Sequence, residues 1–142
     1  MLGPWAAGVS RDEGRDLVLA IDTRTYLTVL FPLGAASEFH ASWSGALRAL
    51  LRDLRVPDDR IEIEGDAVKH LPLTRLSEPR FKEALKVIGF VCGIELSYQD
   101  DLRIVQRQLN EFPHDLPPDY VPAHAVRRLF GVQSRDPLGN VH

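Results

Sequence analysis

The sequence predicts an α+β domain: a small antiparallel sheet, made of an N-terminal β-hairpin plus a possible third strand, packed against three to four helices. Three observations predict it. Two β-rich runs, Asp16–Asp22 (DLVLAID) and Thr25–Phe31 (TYLTVLF), stand side by side near the N-terminus. Apolar residues then recur at three- and four-residue steps through the rest of the chain, the signature of amphipathic helices. The chain has 142 residues, 44% hydrophobic and 26% charged, which is the size and composition of one soluble globular domain.

The elements follow in order. Gly3, Pro4, Gly8 and Gly14 surround Trp5, so residues 1–14 read as a loop or a short strand start with Trp5 as a core plug. The two β-rich runs hold Val, Leu, Ile, Tyr and Thr, which suit a pleated surface. Neither alternates strictly, so both are expected to be covered on two faces. Thr23-Arg24 is poor chemistry for a two-residue hairpin turn, which wants residues tolerant of positive φ. A longer loop starting at Asp22 is expected. Pro32 and Gly34 end the second run. Ser37 is placed to cap a helix over Glu38–Leu54, with Phe39, Trp43, Leu47, Leu50, Leu51 and Leu54 on its apolar side and Pro57 beyond its end. Asp58–Asp66 allows either an alternating strand or a short helix, and Ala67–Leu73 reads as the third strand. Ser77 caps the next helix, with Pro79 in its first turn. Its stripe is Phe81, Leu85, Ile88, Cys92 and Leu96; Phe90, Val91 and Ile94 form a second apolar side. A helix apolar all round is expected to be central and buried. Asp100 caps a helix over Asp101–Phe112, and Pro122 opens a last one, Ala123–Phe130, stopped by Gly131.

Five of the ten prolines (Pro113, Pro117, Pro118, Pro122 and Pro137) fall in the last thirty residues. The organisation expected is one domain over 1–132, with 113–122 as a proline-rich crossing loop and 133–142 as a flexible tail. A spanning helix needs ~20 apolar residues, and the longest apolar stretch, Tyr26–Ala36, is broken by Thr28, Pro32 and Gly34. Residues 1–14 have no apolar h-region, so a secretory signal is not expected there. One cysteine cannot close a disulfide within the chain. A cytoplasmic location is expected. The net charge of −3 supplies no global field for nucleic acid.

The order of pieces resembles a small, uncharacterised bacterial family, a domain of unknown function. Leu2-Gly3-Pro4-Trp5 looks like its Leu-Gly-Asp-Trp opening. The β-hairpin with Thr25-Tyr26-Leu27 and Phe31-Pro32, the capped helix ending at Val56-Pro57, and Ala125-Val126-Arg127-Arg128-Leu129-Phe130 also follow its pattern. Two departures stand out. Ala6-Ala7-Gly8 replaces the usual Asn after the Trp, and Arg80-Phe81-Lys82-Glu83-Ala84 replaces an Arg-Ser…Gly-Ser…Asn stretch. The resemblance implies a fold and no reaction.

Chemistry-bearing residues are scattered. His114, Asp115, Asp119 and His124 could converge as a His/Asp site if the proline-rich loop folds back; a solvated loop is the plainer reading. No two histidines are close enough in sequence for a helical metal pair, and no metal or cofactor is expected. Cys92 falls on an apolar stripe, where a thiol is inert. Ser44, in Trp43-Ser44-Gly45, reads as helix surface. The carboxylate pairs Asp58–Asp59 and Asp100–Asp101 sit at helix starts, where capping and the helix dipole explain them. Gly34-Ala35-Ala36-Ser37 lacks the glycines and lysine of a phosphate loop. Arg48, Arg52 and Arg55, Arg103 and Arg107, and Arg127 and Arg128 gather on three helices and are the candidate binding residues, though nucleic acid is not favoured as the partner. Gln108-Leu109-Asn110-Glu111-Phe112 resembles peptides that dock on the bacterial sliding clamp, yet Leu109 and Phe112 also serve a helix stripe. The function expected is a non-enzymatic protein-interaction or binding module with a protein partner or a homo-oligomer. Two alternatives are a toxin–antitoxin or phage-defence component and a small hydrolase-like enzyme using the His/Asp site.

Overall fold

The computed structural model describes residues 2–12, 15–73, 78–98, 101–111 and 120–132. Most of the expected crossing loop and all of the expected tail lie outside the described residues. Three strands, β1 (Trp5–Asp12), β2 (Arg15–Asp22) and β3 (Thr28–Pro32), form one antiparallel sheet in the order β1-β2-β3. Five helices accompany them among the described residues: α1 (Phe39–Asp53), α2 (Asp58–Lys69), α3 (Pro79–Tyr98), α4 (Leu102–Glu111) and α5 (Pro122–Leu129). The architecture is α+β.

The non-alternating run of β2 belongs to the central strand, covered on both faces. Leu17, Leu19 and Ile21 point into a core with Leu30, Ile88, Cys92, Leu96, Val105 and Leu109. Val18 and Ala20 point the other way, into a core with Val29, Phe31, Trp43, Leu47, Leu51, Ile61 and Val126. The sheet is therefore a middle layer, with α3 and α4 on one face and α1, α2 and α5 on the other.

The third strand is not where the sequence suggested. Ala67–Leu73 adds no strand; its first half completes α2, which buries Ile61, Glu64, Gly65 and Val68 at helical spacing. The added strand is β1, from the segment that the sequence allowed as a loop or a short strand start. Ala and Gly have weak β propensity, so only pairing with β2 (Ala6 opposite Ile21, Gly8 opposite Leu19) makes it a strand. Helix α3 lies over it: a Cβ on Gly8 would be in ordinary van der Waals contact, 3.7 Å, with both Leu85 methyls. The loop after β2 is longer than two residues, as expected. Tyr26 adopts φ 61° there, while the Asp22 carboxylate accepts from the Thr25 amide at 3.0 Å and its hydroxyl at 2.5 Å. Ser37 does not cap α1. It sits in a 3-10 turn, Ala36–Glu38, and Glu38 holds the N-cap position without a side-chain bond. Asp101 Oδ1 accepts from the Arg103 amide at 2.9 Å at the start of α4, and Asp100 lies outside the described residues.

The two edges of the sheet differ. Leu33 donates to Asp16 O and Asp22 donates to Leu27 O, so Val29 and Phe31 bond β2 while Thr28, Leu30 and Pro32 face outward. Helix α4 lies against that edge. Asn110 Oδ1 accepts from Thr28 N at 2.8 Å and its Nδ2 donates to Thr28 O at 2.8 Å. Gln106 Oε1 accepts from Leu30 N at 2.9 Å. Pro32 has no N–H to offer. Every outward amide of β3 is thus taken or missing, and the side chains of α4 act as a substitute strand. On β1, Thr23 donates to Pro4 O at 3.0 Å. That bond sets the phase: Ala6, Gly8 and Ser10 bond β2, while Trp5, Ala7 and Val9 turn their N–H and C=O groups outward.

Candidate functional site

The His/Asp reading has one member within the described residues. His124 is on the exposed side of α5, whose Pro122, Ala123 and Val126 are buried. His114, Asp115 and Asp119 lie outside the described residues. Among the described residues no group of three or more His, Cys, Asp or Glu side chains could hold a metal ion, and no helix is long and apolar enough to cross a membrane.

The arginines divide into separate tasks. Arg48 ties α1 to α2: its Nε donates to Ser44 Oγ at 3.1 Å and its guanidinium pairs with Glu62 at 2.5 Å. That partner holds the Glu62 carboxyl below its ordinary value. Ser44 is buried, not surface, and donates to Gly65 O at 2.7 Å. Gly65 leaves the space that Arg48 fills; a Cβ there would overlap Arg48 Nε and Cγ. Gly65→Ala is therefore expected to destabilise the fold by about 1–2 kcal/mol, although alanine is the better helix former by about 1 kcal/mol. A urea titration showing Gly65→Ala as stable as the parent would refute this use of the glycine.

Arg103 and Arg107 line a cleft of about 180 Å³ between the end of α1 and α4, with Leu50, Asp53, Leu54, Gln106, Asn110 and Glu111. Glu111 receives Arg127 from α5 at 3.0 Å and lies 3.7 Å from Arg107. Arg107 of α4 and Arg127 of α5 thus meet around one carboxylate, Glu111, and Arg103 lines the same cleft as Asp53. Arg52, Arg55 and Arg128 are exposed.

Two carboxylates are buried beside the N-terminal segment. Glu64 is 2% exposed and Asp22 fully buried. They receive successive amides of the N-terminal segment: Leu2 N donates to Glu64 Oε1 at 3.1 Å, and Gly3 N to Asp22 Oδ1 at 2.6 Å. Burial raises the Glu64 pKa above its ordinary 4.5, partly offset by the Leu2 amide. A raised carboxyl pKa favours the fold fully below 4.5, and that contribution is lost as pH rises through the raised value. Glu64→Gln keeps a carbonyl for Leu2 N and cannot ionise. It is expected to flatten the fall in stability between acid and neutral pH, read as thermal midpoints at several pH values; parallel curves for the two proteins would exclude it.

The largest departure from expectation is α3. Ala84, Ile88, Cys92 and Leu96 are buried, with Cys92 in the apolar core beside the sheet as expected. The second apolar side is not buried. Phe90 is 71% exposed, Ile94 44% and Tyr98 83%, at four-residue steps along the side of α3 opposite its buried stripe. The sequence showed the residues; it did not show that the sheet and α4 occupy only one side of this helix. Leu109, by contrast, is fully buried, so Gln108–Phe112 is not available as an extended docking peptide. Phe112 lies outside the described residues. No family model, curated protein or solved structure matches the chain.

Proposed function

We propose that this chain is a protein-interaction module whose partner sits on the outward side of α3. The exposed row Phe90, Ile94 and Tyr98 supports this reading. Contiguous apolar surface rimmed by charge marks interaction sites, and large aromatics in such patches contribute much of the binding energy. Lys82 and Lys86 on the same helix are exposed and supply a polar border. No specific observation favours the toxin–antitoxin, phage-defence or hydrolase-like readings.

The test is the double variant Phe90→Glu/Ile94→Glu. Neither residue lies in a core cluster, so stability is expected to change by no more than about 1 kcal/mol. A protein captured from the native cell by the parent chain, and reconstituted with it as a binary complex, is expected to be lost with the variant. Equal affinity of parent and variant for that protein would reject the surface.

A further inference from the structure

We propose that the outer edge of β1 pairs with β1 of a second copy of this chain, joining two three-stranded sheets into one of six strands across a two-fold axis.

The contrast between the edges is the first ground. Unpaired strand edges invite pairing with another chain, and proteins block the edges they do not use. The β3 edge is blocked: Asn110 takes both groups of Thr28, Gln106 takes the Leu30 amide, and Pro32 has none. The β1 edge has none of these devices. It is eight residues long, WAAGVSRD, without proline or lysine. The outward N–H and C=O groups of Trp5, Ala7 and Val9 meet no partner among the described residues. Ala7 is exposed and Val9 is 50% exposed.

The second ground is self-complementarity. A two-fold axis at Gly8 places Ala7 opposite the second copy's Val9 as a hydrogen-bonded pair, and Ala6 opposite its Ser10. Apolar meets apolar on the face where both are open to water, and small meets small on the face under α3. The same axis runs the two α3 helices antiparallel on one face of the joined sheet, since α3 packs over β1. The side of α3 that sets Leu85 over Gly8 carries Gly89 and Gly93 at four-residue steps, and a Cβ at either glycine would meet nothing within 4 Å among the described residues. Two antiparallel copies of α3 therefore have room to approach closely along that side. A strand from an unrelated protein would gain the main-chain bonds but not this helix contact, so the second copy is the occupant.

The inference does not rest on the exposed row of α3, and the two readings fail separately. Val9→Lys puts a charge on the edge, and Val9→Pro removes an outward N–H that β2 does not use. The 15.9 kDa chain is expected to sediment as a dimer, and both variants as folded monomers with unchanged circular dichroism. In Val9→Lys the amides of Trp5 and Ala7 are expected to exchange about tenfold faster or more, while Gly8 stays slow. Phe90→Glu/Ile94→Glu is expected to remain dimeric. The inference is overturned by a parent chain that stays monomeric up to about 1 mM. It is equally overturned by a dimer that survives both Val9 variants, by a dimer lost in the α3 variant but not in these, or by edge protection that requires a different protein.

Discussion

Asn110→Ala is expected to destabilise the fold by about 3 kcal/mol, measured by urea denaturation. The side-chain amide makes two 2.8 Å bonds to the backbone of Thr28 and one of 3.0 Å to Gln106 O. Thr28 and Asn110 are both fully buried, so water does not replace what the truncation removes. A buried backbone group left without a partner costs about 1–3 kcal/mol, and here an N–H and a C=O are orphaned together. Asn110→Asp separates the two. It retains an acceptor for Thr28 N but sets a carboxylate oxygen against Thr28 O, and it is expected to be no better than alanine at neutral pH and to recover in part on acidification. Either variant also uncovers the β3 edge, so aggregation at high concentration should accompany the loss. A change below about 1 kcal/mol in Asn110→Ala would mean that α4 does not guard this edge.

Trp43→Ala is expected to be larger, about 4 kcal/mol, and to leave little folded protein at physiological temperature. Trp43 is 2% exposed and meets Trp5 edge-on at 5.5 Å and Phe39 at 6.1 Å. Phe39 in turn meets Phe31 of β3 at 5.6 Å, so the cluster joins β1, β3 and α1 and no single neighbour can collapse into the space. Trp43 Nε1 is buried and meets no hydrogen-bond partner among the described residues. That detail predicts an asymmetry: Trp43→Phe removes the unsatisfied N–H along with part of the ring, so its cost should fall below about 2 kcal/mol. Equal losses in the alanine and phenylalanine variants would show that the indole nitrogen is satisfied in solution.

Residues with one dominant local demand were legible from the sequence. The helices α1, α3, α4 and α5 follow from apolar spacing and from Pro57, Pro79 and Pro122 at their borders. Segments with two local solutions were not. Asp58–Lys69 alternates like a strand over IEIE, yet it folds as α2 because Ile61, Gly65 and Val68 share a side that α1 covers. The candidate surfaces followed the same rule. The arginines were visible as residue types, but Arg48 turned out to be a tie between two helices and Arg127 an anchor on Glu111. Asn110 and Gln106 looked like the polar side of a helix until the strand beside them was in place.

By itself the sequence determined the α+β class, the double-sided burial of β2, the apolar position of Cys92 and the apolar character of both sides of α3. These are properties of spacing within one segment, where hydrophobic period and chain stiffness act over a few residues. The tertiary structure alone decided that residues 5–12 are a strand, that α4 closes one sheet edge while the other stays open, and that Phe90, Ile94 and Tyr98 face outward. Those outcomes depend on which segment packs beside which, and hydrogen-bond partners and buried area between distant segments are not written in any local pattern.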